Sequence, residues 1–163
     1  MGRWRPPPPA SSPYITHAGY QRLETELHGL WDRRKDVTKA LTAAAAEGDR
    51  SENAEYIYRK KELREIDRRI RYLQTRMPKL KIVSEVGDIN RVFFGAIVTL
   101  EDEEGNEMTY RIVGADEIDP DNNYISIDAP MSKATLGKSV DDEVMVKMEG
   151  KQSRYYVIKV EYK

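Results

Sequence analysis

Two carboxylates, Asp49 and Glu52, stand three residues apart within AAAAEGDRSENAEY, residues 43–56. Acids at that spacing have two uses. Asp49-Arg-Ser-Glu52 has the form of a capping box, with Asp49 as N-cap and Glu52 at the third helical position, and acids suit the positive end of a helix. The same oxygens can also hold a hard divalent cation. Mg²⁺ commonly takes one or two protein carboxylates and completes its shell with water and phosphate oxygens. Two acids are then an incomplete metal site that another active site would finish. In two-metal phosphodiester cleavage such an ion orients the attacking water and stabilises the leaving oxygen. The spacing alone favours a cap, so the elements around it have to discriminate.

Those elements are two helices. After Thr16, a good N-cap residue, apolar positions run from Tyr20 through Leu23, Leu27, Leu30, Val37 and Leu41 to Ala44. They step alternately by three and four, with Arg34 as the one polar interruption, which is a heptad seam. A second seam in the same steps runs from Tyr56 through Leu63, Ile66, Ile70, Leu73 and Met77 to Leu80, interrupted at Arg59. Pro78 predicts fraying or a kink near its end. Paired across the turn, seam positions keep a constant sum of residue numbers, as Val37 with Leu63 and Leu30 with Ile70 do. A constant sum is what an antiparallel hairpin folded about residue 50 requires. Each arm would be on the order of 45 Å long at about 1.5 Å per residue. Such an element buries one narrow stripe per helix and encloses no pocket, so its chemistry belongs at the tip or along its sides.

One side is basic. The first helix carries Arg33, Arg34, Lys35 and Lys39; the second carries Arg59, Lys60, Lys61, Arg64, Arg68, Arg69, Arg71 and Arg76. Pairs four apart, such as Glu65 with Arg69, would account for part of this as a solvated face. The acid-free run from Arg68 to Arg76 fits a phosphate-facing surface equally well. Net charge is −1, but residues 16–80 hold 15 Lys/Arg against 11 Asp/Glu and residues 81–163 hold 10 against 17. Unequal halves suggest two modules with different partners.

Beyond Lys81 the period becomes strand-like. VFFGAIVTLE (92–101) and EMTYRIVG (107–114) flank a turn and read as a β-hairpin, with further strands at 124–127, 143–148 and 155–162. PMSKATLGK (130–138) reads as one short helix. The fold class is therefore α+β: an antiparallel coiled-coil hairpin over 14–80 followed by a small domain over 81–163. Residues 1–13, with four prolines at 6–9, read as a polyproline II or disordered extension, a passive tail rather than a docking element. Cysteine is absent, which removes disulfides and thiolate metal sites and is consistent with a reducing compartment. No apolar stretch is long enough to span a bilayer, and the N-terminus has no signal-peptide core, which predicts a soluble, cytoplasmic protein with no membrane partner. The second half holds no His, Cys or Trp and no phosphate loop, so protein binding is its expected task.

GDRSENAEYIYRKKELREIDRRIRYL (48–73) resembles the hairpin tip and second helix of the GreA/GreB transcript-cleavage factors, and KKELREIDRR with the paired tyrosines is closer to the GreB branch. The likeness continues through VFFGA (92–96), RIVGADEID (111–119) and YISIDAPMSKATLGK (124–138), so it covers most of the chain from about Tyr14 to Tyr162. The Pro-rich residues 1–13 lie outside it. The resemblance implies a second half of FKBP-like fold that docks on bacterial RNA polymerase, and a hairpin that enters the polymerase secondary channel. It implies that Asp49 and Glu52 help hold a second Mg²⁺ there, while the polymerase cleaves the 3′ end of backtracked nascent RNA. Ser51, Asn53 and Tyr56 would shape the tip or contact substrate. Arg59, Lys60, Lys61, Arg64, Arg68 and Arg69 would correspond to the family's RNA-binding basic patch. On this reading the protein is a monomeric cofactor rather than an enzyme, and Mg²⁺ is shared with the polymerase and not held stably alone. Two alternatives follow from the same resemblance: a channel-entering regulator that does not promote cleavage, and a prolyl isomerase. The isomerase reading is weakened because both tryptophans, Trp4 and Trp31, lie outside the FKBP-like half.

Overall fold

The computed structural model describes residues 10–47 and 53–163. They form two units: Ala18–Leu80, and residues 10–17 together with 81–163.

The first unit is the expected hairpin. Helix α1 spans His17–Ala45 and α2 spans Ala54–Arg76. At about 1.5 Å per residue they are roughly 44 and 35 Å long. Every seam position read from the sequence, from Tyr20 to Ala44 and from Tyr56 to Leu80, is buried or half-buried. Val37, Ile66 and Ile70 form the centre, with Leu27, Leu30 and Leu63 packed against them. The polar interruptions carry their own partners. Arg34 Nε donates to Asp67 Oδ1 across the hairpin at 2.7 Å, and that hydrogen bond raises the guanidinium pKa further. Arg33 Nη2 reaches both carboxylate oxygens of Glu62, at 2.7 and 3.1 Å. Arg59 shares that same carboxylate at 3.3 Å. Pro78 acts as expected: α2 stops at Arg76 and Met77–Lys79 is a single 3-10 turn.

The second unit is a five-stranded sheet ordered β5-β4-β3-β7-β6, with β3 at Ile97–Asp102, β4 at Glu107–Val113, β5 at Tyr124–Ser126, β6 at Glu143–Met148 and β7 at Lys151–Glu161. All neighbours are antiparallel except β5, which runs parallel to β4. Val98, Leu100, Tyr110, Ile112, Val144, Val146 and Val157 make the core, and helix α3 (Pro130–Thr135) packs Met131 and Ala134 against it. The fold class is thus α+β, as expected.

Several boundaries differ from the sequence reading: α3 ends at Thr135 and β5 at Ser126, each short of the expected 138 and 127, and three further differences have visible causes. VFFGA is not extended: Gly95 has φ +88°, a left-handed conformation that interrupts strand pairing, and β3 starts only at Ile97. Strand β7 begins four residues earlier than expected, at Lys151, because Glu149 and Gly150 both take positive φ and close a tight hairpin onto β6. The hairpin domain does not begin at Tyr14, and the N-terminal extension does not run undocked to residue 13. Tyr14–Ile15 form strand β1, which pairs in parallel with β2 (Lys81–Ile82) in the second unit. Ser12 donates from its backbone N–H and its hydroxyl to the Asp128 carboxylate. The gain is burial: Ile15 is fully enclosed, and the Glu117 carboxylate accepts from the N–H and hydroxyl of Thr16 and from the Gly114 N–H.

Candidate functional site

Among the described residues, the Asn53 side chain links the two helix ends at the tip of the hairpin. Helix α1 ends at Ala45, and the N–H groups of Ala46 and Glu47 fold back onto the carbonyls of Thr42 and Ala44. Helix α2 starts at Ala54 with Asn53 as its N-cap: Asn53 Oδ1 accepts from the Tyr56 N–H at 3.1 Å. The same amide donates through Nδ2 to the Ala44 carbonyl at 2.8 Å. Asn53 therefore satisfies a donor at the start of one helix and an acceptor at the end of the other. Asparagine can do this because its amide carries both functions, whereas an ionised Asp only accepts.

This corrects the capping box. The N-cap is Asn53, four residues beyond Asp49, so α2 uses neither Asp49 as its N-cap nor Glu52 as its third residue. Asp49, Ser51 and Glu52 lie outside the described residues. What the structure places is their setting, the turn at the far end of two long helices. The donor set fits a hard cation, since two carboxylates without His or Cys suit Mg²⁺. Among the described residues no group of three or more His, Cys, Asp or Glu is placed to hold a metal ion.

The structure divides the basic residues into two kinds. Arg59 donates to Glu55 at 2.8 Å and to Glu62, lies over the Tyr58 ring at 5.4 Å, and has its pKa raised chiefly by the Glu55 hydrogen bond. Arg69 makes a two-pronged contact with Glu26 on α1, at 2.6 and 3.0 Å, instead of the expected bond along the helix to Glu65. Arg69 thus ties the two helices together, while Arg59 is engaged within α2. Lys61, Arg64, Arg68 and Arg71 are exposed and have no carboxylate partner among the described residues. Lys60 is exposed too, with its ammonium 5.8 Å from the ring of half-buried Tyr56. Spacings of three and four put Lys60, Lys61, Arg64, Arg68 and Arg71 on the face of α2 turned away from the seam. That stripe is about 16 Å long from Lys60 to Arg71 at ~1.5 Å per residue. Counting cations along the sequence could not separate bound from unbound charge; the acid across the hairpin, Glu26, was the missing signal.

A long two-helix arm with a basic outer stripe and acids in its turn, followed by a small α+β unit, is the arrangement of a transcription elongation factor. Residues 13–82 match the family of transcription elongation factor N-terminal domains, and residues 87–162 match the GreA/GreB C-terminal domain. The transcription elongation factor GreB of Pseudomonas aeruginosa is 55% identical over 99% of this chain and 98% of its own length. That of Xanthomonas axonopodis pv. citri is 52% identical over 99% and 98%, and that of Yersinia pestis 50% identical over 94% and 91%. The chain belongs to the GreA/GreB family of transcription elongation factors, on its GreB branch.

Proposed function

We propose that this elongation factor acts on bacterial RNA polymerase by carrying the hairpin tip through the secondary channel, where Asp49 and Glu52 complete a shared Mg²⁺ site. The observation that carries the reading is Asn53. Its amide takes the N-cap position of α2 that the sequence offered to Asp49, which favours a role for the tip acids other than that cap. The ion would supply charge stabilisation and an activated water for cleavage at the 3′ end of backtracked RNA. This chain's own residues do the positioning: the seam and the Arg33–Glu62 and Arg69–Glu26 pairs stiffen the arm, and Asn53 sets the turn. Lys60, Lys61, Arg64 and Arg68 face outward for RNA phosphates, while Tyr56 supports Lys60. The protein is then a monomeric, cytoplasmic cofactor, and the phosphodiester bond is cut by the polymerase. No helix among the described residues is long and apolar enough to cross a membrane.

The test is Asp49→Asn on a stalled, backtracked polymerase complex with Mg²⁺. The residue is not the N-cap of α2, so the fold should be retained, with the helical circular dichroism of the native chain. Loss of cleavage stimulation with retained polymerase binding is the expected outcome. Normal stimulation by the variant removes the carboxylate-donor role and leaves a regulator that occupies the channel without promoting cleavage.

A further inference from the structure

Toward the tip, the basic stripe of α2 ends in two large apolar side chains. Ile57 is 53% exposed and Tyr58 57%, both near the start of the helix. Ile57, Lys61, Arg64 and Arg68 follow one another at steps of four, three and four, so the isoleucine stands in line with three cations. That line is about 17 Å long at ~1.5 Å per residue, and Tyr58 lies beside it, three residues from Lys61. Lysine and arginine suffice to keep the arm in water. An adjacent isoleucine and tyrosine expose apolar surface at a cost that contact with a partner recovers.

The Tyr58 ring is also held in place. The Arg59 guanidinium lies over it at 5.4 Å, and is itself fixed by Glu55 at 2.8 Å and Glu62 at 3.3 Å. A cation over a ring face is attracted to it, and the two carboxylates already answer the charge of this arginine. Arg59 therefore orients the ring rather than offering itself to a phosphate. An exposed ring held in one orientation loses little freedom when a flat partner settles on it.

Nucleobases are such partners. A single strand presents unstacked bases together with a phosphate chain, and proteins that bind one combine a cationic track with aromatic platforms. We infer that Tyr58 stacks on a base of a single-stranded RNA whose phosphates follow Lys61, Arg64 and Arg68, with Ile57 packed beside that base. Tyr58 then fixes the register of the strand at the tip end of the arm. Because every base has a π face, the contact tolerates any sequence. The inference rests on the RNA-facing reading of the stripe and is independent of the metal reading of Asp49 and Glu52.

The test is binding of a fluorescein-labelled, twelve-nucleotide uridine RNA to the full chain, followed by anisotropy at low salt without Mg²⁺ or polymerase. Its companion probe is the same ribose-phosphate chain without bases. Tyr58→Ala should weaken binding of the base-bearing RNA by about 5- to 150-fold, the range for one stacked base, and leave the abasic RNA within about two-fold. Tyr58→Phe should bind as the native chain does. The salt slope should keep its native value in Tyr58→Ala, because no phosphate contact is removed. A loss acting through Arg59 or through fraying of α2 appears on both RNAs, so equal loss on the two probes overturns the proposal. Unchanged affinity in Tyr58→Ala, or a Phe variant as weak as the Ala one, overturns it too. If Arg64→Ser with Arg68→Ser loses binding while Tyr58→Ala does not, only the stacking falls. A native chain that binds neither RNA removes the RNA-facing stripe as well.

Discussion

Replacing Asn53 by alanine removes two hydrogen bonds at opposite helix ends with one substitution. Loss of the N-cap acceptor for the Tyr56 N–H costs about 1 kcal/mol, within a range of roughly 0.5–2. Loss of the Nδ2 bond to the Ala44 carbonyl costs about another 1 kcal/mol. For a unit the size of Ala18–Leu80, 1 kcal/mol is worth about 4–8 °C in Tm, so Asn53→Ala should melt roughly 8–16 °C earlier. Asn53→Asp separates the two contributions. The carboxylate still accepts from Tyr56 and suits the helix N-terminus, but it cannot donate to Ala44, so about half of the loss, about 1 kcal/mol, should remain. Thermal unfolding followed by the helical circular dichroism band reads the hairpin, where nearly all of the helix resides. If Asn53→Asp melts with the native chain, the bridge to α1 contributes nothing. If the Asp and Ala variants melt together, the N-cap contributes nothing. Either result refutes the view that this one amide closes both ends of the turn.

Three further outcomes follow from the same geometry. Replacing Arg64 and Arg68 with serine should leave hairpin stability unchanged and reduce the salt slope of RNA binding by about 0.7 for each phosphate no longer neutralised, whereas Arg69→Ser should loosen the hairpin; cleavage assays across a salt series with parallel melting curves separate these effects. The Tyr110 hydroxyl is pushed up to about 12 by burial, above its ordinary value near 10, so its neutral form stabilises the second unit fully below pH 10 and that contribution is lost as pH rises through about 12; ultraviolet titration should show a tyrosine ionising near 12 that Tyr110→Phe removes, beside Tyr162, which burial also raises. At Gly114 an added Cβ would sit 2.0 Å from the Tyr14 carbonyl oxygen, so Gly114→Ala must push β1 off the second unit and should cost about 1–3 kcal/mol, read by urea unfolding and by faster amide exchange at Ile15.

Much of this protein was legible along the chain because its main element obeys a one-dimensional rule. An antiparallel coiled coil repeats the same contact every half-heptad, so Leu23, Val37, Ile66 and Leu73 declare their burial by spacing, and the fold-back point follows from arithmetic on residue numbers. The strands of the second half were likewise visible from period two, and the motif around Asp49 and Glu52 carried the family. Other features depend on partners distant in sequence, and no local pattern encodes those. Nothing near Thr16 announces that Glu117 will receive both its N–H and its hydroxyl, or that two residues at Tyr14–Ile15 will pair with Lys81–Ile82. A capping box and a single Asn cap look equally good in one dimension. Asn53 holds the position with an amide that accepts from the Tyr56 N–H and at the same time adds a second donor to the Ala44 carbonyl at the end of α1. In the same way Arg69 and Arg68 are adjacent and chemically alike, yet one is neutralised by Glu26 from the other helix and the other is left to meet solvent or phosphate. Composition set how much charge the arm carries; the packing of α1 against α2 settled which of those charges are available to a partner.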